Sequence, residues 1–203
     1  MKLINQVSKD FPKLVQMKHK IEKFLTSNAL PAPVAQKEGK DVYKLIIPVI
    51  TMPPKRAVNQ DTFTVFVAFE DNTQTPIYIA AYRVEEQKGI TVGRHHMVWK
   101  DSTVLPDASF PHAVFFDIVM NTFDAVGTDT VHTVRAKSAW ISRMDNALDL
   151  ALFVYKVDVN GSQHTFTRLN SAEEIDASAE QLWTSSNIGA KINTLISNVE
   201  IIV

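Results

Sequence analysis

The run GITVGRHHMVWKD, residues 89–101, puts Arg94, His95, His96, Trp99 and Lys100 within seven positions. Two adjacent histidines suggest a metal. In an extended strand, however, successive side chains point to opposite faces, so His95 and His96 cannot hold one ion together without a bulge. No HExxH or HxH spacing occurs among the six histidines, and there is no cysteine to supply a thiolate. We therefore expect no metal and no other cofactor. Nucleophile motifs are absent too: there is no GxSxG and no SxxK, and the six glycines are scattered singly, so no phosphate loop forms. The acidic pairs Glu85–Glu86 and Glu173–Glu174 fall at a strand end and in a helix first turn. In the second place they favour the helix dipole. A catalytic residue is not expected, and the chain reads as a non-enzyme.

What remains is cationic and aromatic. Arg83, Arg94, His96 and Trp99 lie in or next to strand-like runs, and Arg135, Lys137 and Trp140 lie in the run TVHTVRAKSAWIS, which we also read as a strand. Charge within a strand is costly if both sheet faces are covered, so one face is expected to be open. Open sheets bearing Arg, Lys and rings suit single-stranded nucleic acid, because cations hold phosphates and rings stack on bases. Lys55 and Arg56, in MPPKRAVNQ, would add a phosphate contact. Charge is also divided along the chain. Residues 1–60 hold eleven Lys/Arg against four Asp/Glu, and the remainder holds ten against eighteen. A basic leading third suits a polyanion, or an acidic surface on this chain or a copy of it.

These residues need elements to place them. At 203 residues with 45% apolar content the chain has enough length for one domain with an extension. Residues 2–27 read as a helix, with Ile4, Val7, Phe11, Leu14, Ile21 and Leu25 on one stripe and Asp10 with Pro12 marking a restart. Residues 28–40 read as a proline-containing linker, which makes 1–40 a basic helix plus linker and 41–203 an α+β domain. DVYKLIIPVITMP, DTFTVFVAFED, PIYIAAYRVEE and ITVGRHHMVWK read as four successive strands. In the second, Phe63, Val65, Val67 and Phe69 share one face and Thr62, Thr64, Phe66 and Ala68 the other. A helix follows, capped at Asp107 or Ser109, striped by Val114, Phe115, Ile118, Val119, Phe123 and Val126, and stopped by Gly127. Three more strands end in QHTFTRL, with Asn160-Gly161 as a hairpin turn. Ser171 and Glu174 then open a capping box for a helix running to about residue 197. The fold class expected is α+β, a largely antiparallel sheet or sheets in the order α-ββββ-α-βββ-α, with helices packed on one side. The lack of strand–helix–strand alternation argues against a doubly wound nucleotide fold.

Over residues 41–197 this element order resembles the Whirly-type single-stranded nucleic-acid-binding proteins. It is similar also to RNA-binding proteins of large nucleus-forming bacteriophages. The resemblance implies curved antiparallel sheets carrying RNA or DNA on their exposed surface, and homo-oligomers associated through helices. Two other function classes compete. One is a structural or interaction protein, a phage or scaffold component, docking through its N-terminal helix. The other is a degenerate GNAT-type acetyltransferase, which the segment RMDNALDLALFVYKV resembles, although VLPDASFPHAV has no glycine where that family's pyrophosphate loop would open the central helix. No run approaches 18 apolar residues, so no membrane partner is expected. The absence of cysteine and of a signal-peptide pattern reads as cytoplasmic, the host cytoplasm if phage-encoded.

Overall fold

The computed structural model describes residues 4–48, 62–87, 89–128, 134–160, 163–182 and 192–201. Its helices are α1 (Ile4–Ser27), α2 (Ser109–Val114), α3 (Val134–Asp149) and α4 (Ala172–Leu182). Its strands are β1 (Ala35–Lys37), β2 (Lys40–Pro48), β3 (Thr62–Phe69), β4 (Pro76–Gln87), β5 (Ile90–Lys100), β6 (Ala125–Gly127), β7 (Phe153–Asn160), β8 (Gln163–Leu169) and β9 (Ile192–Ser197). The strands form one mixed sheet in the order β1-β2-β3-β4-β5-β6-β9-β7-β8. The protein is thus α+β with a mainly antiparallel sheet, but not in the order α-ββββ-α-βββ-α. The parallel pair β5–β6, in register Val92↔Ala125, is the first departure. Parallel neighbours need a crossover of a dozen residues or more, and residues 101–124 supply it.

The other departures are local. TVHTVRAKSAWIS does not form a strand: its described part lies in α3, where the buried Trp140, Met144 and Ala147 recur at helical spacing. The last helix stops at Leu182, and INTLIS is β9. Ile192, Leu195 and Ile196 fit both a helical stripe and an alternating strand, and pairing with β6 and β7 on either side decides for the strand. The helix after residue 107 covers only α2, continues as a π-turn over Phe115–Val119, and gives way to β6. The linker holds β1, joined to β2 by Glu38–Gly39, both with positive φ (48° and 75°). That is the backbone of a two-residue hairpin turn. α1 runs through Pro12 without a break in its assignment.

Two compact units share β4 and β5: residues 1–84 with 95–114, and residues 85–94 with 115–203. In the first unit Met17 and Ile21 of α1 cover Leu45, Ile47, Phe63, Val65, Val67, Phe69, Ile79, Ala81 and Met97. The alternation of β3 is as expected, yet its other face is closed as well. Phe66 meets Tyr82, and Tyr78 meets Phe110 of α2 edge-on at 5.2 Å. Helices therefore lie on both faces here, not on one, and β3 is buried from Phe63 to Phe69.

In the second unit one cluster gathers Val92, Ala125, Tyr155, Val157, Phe166, Leu195 and Ile201. Tyr155 closes it by accepting a hydrogen bond from the Ile201 N–H (2.9 Å). Asn198 ties β9 to the turn before β6: its Nδ2 donates to the carbonyls of Met120 and Phe123, and its N–H to that of Asp124.

Candidate nucleic-acid interface

The cationic residues divide between the units. In the first, β3 pairs with β4 so that Phe63 stands opposite Arg83. The Arg83 guanidinium lies 5.6 Å from the centre of the Phe63 ring, and the Lys20 ammonium, reaching down from α1, lies 5.1 Å from it. The imidazole of His96 packs on the same ring, 4.7 Å between centres. Three basic side chains from a helix and two strands thus converge on one buried phenyl ring. Lys20 and Arg83 form no ion pair with any described carboxylate. Partial burial pushes the Lys20 ammonium below the usual lysine pKa, and the charge of Arg83 pushes it the same way.

His95 packs on Tyr82 and His96 on Phe63, so the pair is split between opposite faces, as alternation requires. Met97, the next residue, belongs to the core cluster that contains Phe63.

Two positions earlier in α1, the Lys18 ammonium sits 4.0 Å above the ring of Trp99. Such a contact contributes about 0.5–1 kcal/mol at an exposed place. Asp101 also faces Lys18. Hydrogen bonds from the Thr103 hydroxyl (2.7 Å) and N–H (2.9 Å) hold the Asp101 carboxyl below its usual range, and Lys18 adds to this. Lys100 is spoken for: its ammonium donates to the carbonyls of Leu105, Pro106 (2.9 Å) and Asp107 (2.7 Å), fixing the loop that leads to α2.

The remaining sequence-derived candidates sit elsewhere. Arg94 belongs to the second unit, with a side chain only 12% exposed. Its Nε donates to Glu85 (3.0 Å), and its Nη1 is buried against Gly127. It meets a carboxylate of its own chain, not open sheet. Arg135, Lys137 and Trp140 are on α3 and not on a strand. Trp140 is 1% exposed and packs edge-on to Phe115, with Arg143 over both rings, so it has no ring face to offer. Lys137 is half-buried. Lys55 and Arg56 lie outside the described residues.

Of the nine candidates, then, Arg83 and His96 are brought together, with Trp99 on the same strand as His96. Lys18, Lys20 and Phe63 complete the group and were not read as site residues from the sequence. The Phe63–Arg83 pairing was recoverable from hairpin register. The reach of Lys20 depends on how α1 lies on the sheet, which no local pattern encodes. Among the described residues no group of three or more histidines and carboxylates is placed to hold a metal, and no helix is long and apolar enough to cross a membrane. Comparison with protein-family models, with curated proteins and with solved structures gave no match.

Proposed function

We propose that this protein binds single-stranded RNA or DNA, without catalysing a reaction, along the seam where α1 lies on β3–β5 of the first unit. The observation that carries this reading is the convergence of Lys20, Arg83 and His96 on Phe63, with no described carboxylate paired to Lys20 or Arg83. Like charges held together without a counter-charge are costly to the folded chain, and a polyanion relieves that cost. Lys18, held 4.0 Å over the Trp99 ring, extends the seam with a further cation. The surplus of basic residues in the first 60 positions, which include α1, supports the same reading.

Fluorescence polarisation with labelled mixed-sequence RNA, single-stranded DNA and duplex DNA tests it. Micromolar binding of the single strands at 50 mM salt is expected. With Lys20 and Arg83 holding one phosphate and Lys18 a second, the log–log salt slope should be about −1.4. Binding no tighter than millimolar, or insensitive to salt, overturns the reading. Light scattering on the same samples reports whether several copies share one strand, as a homo-oligomer would.

A further inference from the structure

We infer that Lys20, Arg83 and His96 form a cradle for a single phosphate group, with the ring of Phe63 as its floor. The three side chains differ in a way that suits a tetrahedral oxyanion. Arg83 offers a planar fork that can hold two oxygens, Lys20 a compact ammonium with three rotatable donors, and His96 a ring N–H. All three approach the same ring, at 5.6, 5.1 and 4.7 Å from its centre. Phe63 is 3% exposed, so the floor is apolar and dry, which strengthens charge interactions above it. Arg83 is exposed, and Lys20 and His96 are half-buried, so all three keep access to solvent.

The neighbours of His96 fit this assignment: Met97 fills the core beside Phe63 while His96 packs over its ring. The lowered pKa of Lys20 fits as well, since an anion beside Lys20 and Arg83 would offset the repulsion between them.

The inference rests on the nucleic-acid reading for the source of the phosphate, a backbone group of the strand. The chemistry alone would equally take free phosphate or the phosphate of a nucleotide.

The experiment is an NMR titration of the full chain with inorganic phosphate, with sodium chloride at matched ionic strength as control, alongside oligonucleotide binding. It is run on the wild type, Arg83→Gln and Lys20→Met. Arg83 is exposed and Lys20 is half-buried, and the one-dimensional spectra verify that both variants fold. Saturable shifts of the His96 and Phe63 ring signals are expected with phosphate and not with chloride. They should be lost in both variants, and each variant should bind single-stranded RNA about tenfold or more weakly. If the wild type shows no phosphate-specific shifts and both variants bind RNA as it does, the cradle is overturned while the nucleic-acid reading stands. If phosphate shifts appear and vanish in the variants but no form binds RNA or DNA, the cradle stands as a site for free phosphate or a nucleotide, and the nucleic-acid reading falls.

Discussion

Gly93, in the middle of β5, lies beneath the ring of Phe123, and a Cβ built there would come within 2.5 Å of the ring's Cδ2. Phe123 is 4% exposed and cannot step aside without disturbing its core neighbours. Gly93→Ala should therefore lower stability by about 1–3 kcal/mol, read as a fall in the denaturant midpoint at constant slope. An unchanged midpoint would mean that the ring swings clear. Gly127 differs, because a Cβ there meets the far end of the flexible Arg94 side chain and not a packed ring. At this scale the sequence was partly legible. Alternation correctly separated His95 from His96. It could not reveal that Met97 would join the core cluster around Phe63, nor that Arg94 would be covered and paired with Glu85. Both depend on neighbours distant in the chain.

Among the elements, α4 was written most plainly in the sequence. The Glu174 N–H donates to Ser171 Oγ (3.3 Å), and Glu174 Oε2 accepts from the Asn170 N–H (2.7 Å), a reciprocal cap one residue wider than the usual box. Ser171→Ala should cost about 1 kcal/mol and speed hydrogen exchange at the Glu174 amide. If exchange there is unchanged, the Glu174 arm holds the end alone. β3 was equally readable, because a strictly alternating run has one interpretation. α3 was not. Its reading was led by the β-branched residues before Val134, while Trp140, Met144 and Ala147 supplied the helical period further on. β9 failed for a different reason: six residues are too few for a period to choose between helix and strand, so the partners decide.

For the molecule as a whole, charge segregation reaches into stability. On α3, Asp145 is pushed above its ordinary value of 3.8, first by burial and then by Asp176 and Asp149. A carboxyl with a raised folded pKa binds its proton more tightly folded than unfolded. Its contribution is thus fullest below 3.8 and is lost as pH rises through the folded value. Asp145→Asn should raise the thermal midpoint at pH 7, and the gain should shrink toward pH 3. Equal midpoints at both pH values would show that solvent already screens the three acids. The α+β class and the mainly antiparallel sheet were legible from patterning, whereas strand order was not, because β9 pairs with β6 across more than sixty residues of chain. That pairing also bears on the protein's synthesis. The strand that separates β6 from β7 leaves the ribosome after both of them, so two hydrogen-bonding edges stay open in the nascent chain until it arrives. Folding of this unit must then wait for β9, and the interval before it inserts is when the chain most needs a chaperone.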